Sequence, residues 1–355
     1  MKAGRLGQLL GIDYPVIQGP FGGGLSSVSL TVAVSEGGGL GSYGAHHLRP
    51  GAITKLVAEL KASTTRPFAV NLWVPLGREE EPRLNDVELG RHIERIRPYY
   101  NALSIDAPSA EDVRSQPCFD EQVDALMAAG PPAVSFVMGI PPHRVIRRAK
   151  RLGIAVIGTA TTVDEAIALE NAGVNVIVAS GSDAGGHRGS FLKPVRESLV
   201  GTFSLVPQVA DAVALPIVAA GGIVDSRGVT AALALGADAV QIGTGFLATR
   251  ESGASVIHKK ALVGSQARTT VLTRLFSGRT ARGIPNRFVR EMAAHEEDVP
   301  PYPIQNALMQ PIRRAAAEQG RGDYVNLWAG QAAALTPVGL GAGEYLASLV
   351  EARRR

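Results

Sequence analysis

Short, almost wholly apolar runs recur along the chain and alternate with stretches of helical character, and this rhythm constrains the fold more than any other feature. Four runs cover residues 15–18, 39–43, 68–72 and 133–137, and four more cover 154–158, 174–178, 216–220 and 239–242. Runs this short without polar alternation fit strands covered on both faces, as in a parallel sheet. Between them lie helix candidates at 142–152, 162–172 and 226–235. Thr162 followed by Glu165 predicts a capping box, and Ala172-Gly173 a helix stop. Eight strands with intervening helices predict an α/β fold of the (β/α)8 barrel (TIM barrel) type. An open doubly wound sheet is the alternative. It is disfavoured because no Gly-x-Gly-x-x-Gly opens the first helix with an acid about 20 residues on.

Two regions break the rhythm. Residues 76–118 are polar and carry the charge run Arg78-Glu79-Glu80-Glu81, which reads as an insertion with a solvated face. Residues 251–314 lack strand alternation and read as a smaller, mainly helical lid. The expected division is a barrel over 1–250, the lid over 251–314, and C-terminal helices over 315–355 that pack back on the barrel. A chain of 355 residues can bury a core of that size.

The net charge of +4 is scattered without interleaved aromatics, which argues against a nucleic-acid groove and suits anionic small molecules. Cys118 is the only cysteine, so an intramolecular disulfide and a multi-cysteine metal site are excluded; it is read as a partly buried thiol. No stretch reaches the roughly 18 apolar residues of a membrane span. The expectation is a soluble, cytoplasmic protein with no membrane or nucleic-acid partner, and a homodimer stays open.

Active sites of barrels sit at the C-terminal ends of the strands, and the unusual residues fall there. Gln18-Gly19-Pro20-Phe21-Gly22-Gly23 follows the first run, Asn71 lies in the third, and Thr159-Ala160-Thr161 follows the fifth. Ser180-Gly181-Ser182-Asp183-Ala184-Gly185-Gly186-His187 follows the sixth. Gly221-Gly222-Ile223 and Gly243-Thr244-Gly245 follow the last two, where glycine lets backbone N–H groups point at a phosphate. An imidazole in a glycine-rich strand-end loop suits a base or a neutral hydrogen-bond partner, so His187 is the candidate catalytic residue. Asp183 either orients that loop or caps it. His46 and His47 are within reach, yet adjacent residues face different ways. His92, His143, His258 and His295 read as surface residues. No histidine pair has metal-ligand spacing, so no metal is expected.

These motifs, with Arg188-Gly189, Ala219-Ala220, Gln241-Ile242-Gly243-Thr244, Tyr302-Pro303-Ile304-Gln305-Asn306-Ala307 and Leu327-Trp328-Ala329-Gly330-Gln331, resemble the nitronate monooxygenase family, formerly the 2-nitropropane dioxygenases. The resemblance covers nearly the whole chain. It implies FMN, a barrel and a lid, with His187 at the position of the catalytic histidine. It also implies flavin contacts at Asn71, Ser180, Gly185, Gly222, Gln241, Ile242, Gly243 and Thr244, with the turn Gly19, Pro20 and Phe21 along the isoalloxazine. Two departures stand out. Ser180 occupies a position where relatives often carry Gln. Val137 stands where some nitronate-oxidising members have a histidine, which removes a polar group from the pocket.

The resulting expectation is FMN-dependent oxidation of alkyl nitronates, or nitroalkanes, with dioxygen, and Tyr302 with Lys or Arg residues of the lid contacting the nitro group. The alternative enzyme reading keeps FMN but reduces an enoyl thioester or a quinone with NAD(P)H. A non-catalytic phosphate-ligand binding protein is the reading from another class.

Overall fold

The computed structural model describes residues 1–76, 84–114 and 117–351. Among these residues, nine strands lie in the first two-thirds of the chain: β1 (Val16–Gln18), β2 (Gly41–Gly44), β3 (Phe68–Trp73), β4 (Ala133–Val137), β5 (Ala155–Ala160), β6 (Val176–Ser180), the two-residue β7 (Gly186–His187), β8 (Ile217–Ala220) and β9 (Ala239–Ile242). All but β7 form one parallel sheet in the order β1-β9-β8-β6-β5-β4-β3-β2. Leu40 closes it into a barrel: its N–H donates to the Val16 carbonyl at 3.0 Å, and its own carbonyl accepts from Gln18 at 2.9 Å. The expected (β/α)8 barrel is the fold.

Alternation along the strands sorts the core into two shells. Val70, Leu72, Val134, Phe136, Ile177, Ala179, Val240 and Ile242 face outward and pack with the surrounding helices. Ile17, Ala69, Ala133, Ile157, Val176, Val178, Val218, Ala220 and Ala239 face inward and pack with Leu6, Leu10 and Ile12. The helix Gly4–Leu10 therefore plugs the N-terminal end of the barrel. The same alternation turns Asn71, Trp73, Ser135, Val137, Thr159, Ser180 and Gln241 toward the other end.

The helix Val163–Ala172 begins where the pattern placed it, and Thr162 Oγ1 accepts from Glu165 N–H at 3.3 Å. The second half of the capping box is absent. Glu165 is fully buried and its carboxylate accepts from Thr161 N–H and Oγ1, both at 2.7 Å, and from the N–H groups of Phe191 and Leu192 at 2.6 and 3.1 Å. Four donors from two barrel loops outcompete the one amide the box would have used.

Residues 251–314 carry strands as well as helices. β10 (Val271–Thr273) and β11 (Ala281–Gly283) form an antiparallel hairpin, and β11 pairs on its other edge with β7, so that Ala281 lies opposite His187. A second hydrophobic core gathers Leu275, Phe276, Phe288, Leu308, Ile312, Tyr324 and Trp328. The helix Asp86–Leu103, in the segment read as a polar insertion, contributes Leu89, Ile96, Tyr100 and Leu103 to that core; Tyr100 Oη donates to the Leu308 carbonyl at 2.6 Å. The charge run at 78–81 lies outside the described residues. The helix Ala342–Val350 packs Tyr345, Leu346 and Leu349 on the barrel.

Two smaller expectations are overturned. Cys118 is exposed, at the N-cap of the helix Phe119–Ala129. His258 is buried rather than at the surface, because its Nε2 lies 2.9 Å from the Trp328 carbonyl, a polar group inside the lid core that needs a donor. No helix among the described residues is long and apolar enough to cross a membrane.

Candidate active site

His187 stands in the loop after β6, and the loop is held from three sides. The buried Arg188 guanidinium donates to the Gly181 and Ser180 carbonyls at 2.7 and 2.8 Å. Arg282, from β11, donates to the Ser182 carbonyl at 2.8 Å. Asp183 accepts from Thr202 N–H at 2.7 Å and so caps the helix Thr202–Ala212. These ties fix where the imidazole points.

Aromatic rings enclose it. Trp73, at the end of β3, meets His187 edge-on at 4.8 Å between centroids, and Trp328 does so at 5.4 Å. Trp73 stacks flat on His46, 3.8 Å apart with 8° between planes. Tyr302 lies 5.5 Å from Trp73, and the Arg279 guanidinium sits 4.5 Å from the Tyr302 ring and 5.1 Å from Trp73. His187 Nε2 is 2.8 Å from Ser277 Oγ in the turn between β10 and β11.

Burial, assisted by the positive charge of Arg313, pushes the His187 pKa down to about 3, so the ring is neutral at physiological pH. Burial also lowers Arg279 and Arg313 to about 10, which leaves both charged. Arg313 hydrogen-bonds neutral oxygens: the Phe276 carbonyl at 3.2 Å, the Asn306 carbonyl at 3.2 Å and Asn306 Oδ1 at 2.9 Å. Two guanidinium groups and a neutral imidazole thus meet at this end of the barrel.

The two adjacent histidines do face different ways. His46 turns inward, and burial first, then the neighbouring His47, His187 and Arg279, hold its pKa well below 6.5. Its Nδ1 is buried without a hydrogen-bond partner among the described residues, and a Cβ at Gly22 would lie 2.2 Å from its Cε1, so a side chain there would have to displace the ring. His47 is exposed at the rim.

The loops expected to hold the cofactor converge on the same end. A Cβ at Gly19 would come within 3.3 Å of the Gly243 Cα, and one at Gly243 would lie 3.5 Å from the Phe21 ring. Pro20 lies between them in the chain. Gly222 is exposed with φ +70°, and the N–H groups of Gly222 and Ile223 donate to no described residue. Thr244 Oγ1 accepts from Gly330 N–H at 2.9 Å. Asn71 is buried and donates to Ser135 Oγ and its carbonyl at 3.0 and 3.1 Å. Ser180 and Gln241 are half-buried at the ends of β6 and β9, and Ile242 is buried between its neighbours. Gly185 lies under the Ala329-Gly330 backbone, where a Cβ would meet Gly330 N at 2.4 Å. Val137 is half-buried at the end of β4 and faces Gly189, so an apolar group stands at this position.

A separate open groove of about 750 Å³ on the lid, lined by Lys260, Asn286, Arg290 and Arg321 among others, contains none of these residues. No group of three or more His, Cys, Asp or Glu among the described residues is arranged to hold a metal.

Sequence reasoning missed Trp73 and Ser277, and expected basic lid residues near the substrate without singling out Arg279 and Arg313. One signal was available: the chain has two tryptophans, and both pack on His187. Nothing local marked the serine or the two arginines.

His258 offers a pH test. Burial lowers its pKa from 6.5 to about 4, so as pH falls the unfolded chain takes up the proton first. The stability associated with the neutral ring is full above 6.5 and is lost as pH falls toward about 4. In urea titrations across that window, His258→Gln is expected to lose less stability than the wild type; equal losses would refute the assignment.

The family model described as nitronate monooxygenase matches residues 4–352. A probable nitronate monooxygenase from Staphylococcus aureus (strain Newman) is 42% identical over 328 residues, covering 92% of this chain and 91% of that protein. Among solved structures, nitroalkane oxidase from Streptomyces ansochromogenes superposes with a TM-score of 0.87 at 35% identity, covering 97% of this chain and 96% of that one. FabK from Thermotoga maritima superposes with a TM-score of 0.75 at 29% identity, covering 98% and 94%.

Proposed function

The chain belongs to the nitronate monooxygenase family, and from that membership we propose that it is a cytoplasmic enzyme that binds FMN and oxidises alkyl nitronates, and their parent nitroalkanes, with dioxygen. The observation that carries this reading is the neutral His187 within reach of the Arg313 charge, with the Arg279 guanidinium over the Trp73 ring that packs on the imidazole. A nitronate spreads one negative charge over two oxygens, the geometry a guanidinium recognises by paired N–H donors.

The strand-end loops fit FMN. The amides of Gly222 and Ile223, which donate to no described residue, suit its phosphate together with the Gly243-Thr244 turn. Gly19, Pro20, Phe21, Asn71, Ser180, Gly185, Gln241 and Ile242 would then border the ring system. FMN, when bound, supplies the electron chemistry, and the protein supplies position and electrostatics.

Arg313 and Arg279 orient the anion, with Tyr302 beside Arg279 offering a phenol to a nitro oxygen. His187 takes the proton from the carbon bearing the nitro group when the substrate arrives as a neutral nitroalkane. A preformed nitronate needs no such step. The two tryptophans pack edge-on against the imidazole and limit its approach to substrate-sized groups from the open side.

The test is a visible spectrum of the purified protein followed by oxygen uptake with nitronates and nitroalkanes. Flavin absorbance and nitronate-dependent uptake are expected. Rapid anaerobic bleaching by NADH or NADPH without any nitro compound would favour the reductase alternative. Arg313→Met is expected to raise KM for nitronates about tenfold or more by removing a charge-assisted contact, and an unchanged KM would exclude Arg313 from the anion site.

A further inference from the structure

We propose that Asn306 is a positioning residue that holds the Arg313 guanidinium with uncharged oxygens only, and so reserves its positive charge for the anionic group of the substrate. The proposal deepens the anion site of the function proposed above and rests on that reading.

Asn306 and Arg313 stand seven residues apart on the helix Ile304–Glu318, which places them two turns apart on one face. Arg313 Nη2 donates to Asn306 Oδ1 at 2.9 Å and to the Asn306 carbonyl at 3.2 Å, while Nη1 donates to the Phe276 carbonyl at 3.2 Å. Its Nε–H donates to no described residue. No described carboxylate pairs with the guanidinium, and the nearby Tyr302 phenol is kept protonated by burial. A cation withdrawn from water without a counterion is costly. The turn that receives Arg313 at the Phe276 carbonyl also receives His187 Nε2 at Ser277 Oγ, 2.8 Å away. Consecutive residues of one turn thus tie down both the charge and the imidazole.

The choice of an amide at position 306 is what points to function. Its side-chain bond to Arg313 is accepted by Oδ1, and Nδ2 donates to no described residue. An aspartate has the same shape, would accept the same bond more strongly, and would supply the missing counterion. Asn306 is also the third residue of its helix, where a carboxylate gains from the helix dipole. Both terms favour aspartate, yet the residue is asparagine. What the amide preserves is an unneutralised guanidinium. A small anion with its charge spread over coplanar oxygens, as in a nitronate, completes it through N–H donors the protein leaves open.

The test compares Asn306→Asp with Asn306→Ala, because a charge-reserving role and a structural role rank them differently. Affinity for nitrate, a planar oxyanion with no carbon to oxidise, is measured by titration calorimetry on the purified enzyme, and stability by thermal melting. Nitrate affinity is expected to fall about 10²-fold in Asn306→Asp, which sets a like charge against the ligand. In Asn306→Ala, which loses one orienting bond, it is expected to fall about three- to tenfold. Melting is expected to rank the variants the other way, with Asn306→Asp at or above wild type and Asn306→Ala below it. KM for preformed nitronate should follow the nitrate order. A merely structural asparagine gives one order in both measurements. The proposal is overturned if Asn306→Asp binds nitrate as well as Asn306→Ala or better, if it melts well below wild type, or if the wild type binds no nitrate. The expected nitrate results without turnover of any nitro compound would sink the substrate reading and leave the role of Asn306 standing.

Discussion

Replacing His187 by asparagine is expected to lower kcat on neutral nitroalkanes by about 10²- to 10⁴-fold, the range a positioned general base contributes, with the bound flavin spectrum retained. Asparagine preserves a polar group of similar size opposite Ser277 but has no basic nitrogen. Because the base already titrates near 3, the wild-type rate should show no acid limb from this group near pH 6.5. Stopped-flow traces of flavin reduction against nitroalkane and against preformed nitronate separate the two roles. A large loss on the first with a small loss on the second is the expected result; full activity on both would remove His187 from the chemistry.

The second large effect is expected at a residue with no side chain. A Cβ at Gly185 would lie 2.4 Å from Gly330 N and 2.5 Å from the Ala329 carbonyl carbon, both backbone atoms that cannot turn aside. Gly185→Val therefore forces the segment after Trp328 away from the loop, at a cost of about 1–3 kcal/mol for overpacking. Trp328 moves with it and withdraws from His187, so activity falls further than stability. Intrinsic fluorescence is a direct readout, since the chain's two tryptophans both sit against the imidazole. A Gly185→Val protein with unaltered fluorescence and turnover would show that the loop yields more easily than its packing implies.

The strands were legible wherever burial on both faces made the run itself the signal. β4 and β9 coincide with their apolar runs residue for residue. β5 and β6 begin later than their runs for a definite reason. Ile154 N–H still donates to the Ala149 carbonyl at 3.0 Å, and Val174 N–H to Leu169 at 3.4 Å, across glycines at φ +69° and +92°. Those residues close the preceding helices, and their apolar side chains belong to helix termination. The hairpin β10–β11 gave no local signal because it pairs with residues 186–187 from another part of the chain. The site divides the same way. His187 could be found because glycines surround it at a strand end, whereas Ser277 and Arg313 reach it only through tertiary packing. Glu165 shows the converse: a correct local motif, with its carboxylate drawn away to a loop at residues 191–192.

The closure of the barrel also dictates an order of assembly. β1 takes its partner from β9, more than two hundred residues later, with Val16 opposite Val240. A chain emerging from the ribosome thus carries its first strand with one edge open until nearly the whole sheet has been made. Non-local pairing of this kind slows folding and leaves apolar edges available to other chains. The plugging helix Gly4–Leu10, which precedes every strand, cannot find its seat among Val218, Ala220 and Ala239 until then either. A segment made before every strand is thus among the last to become native.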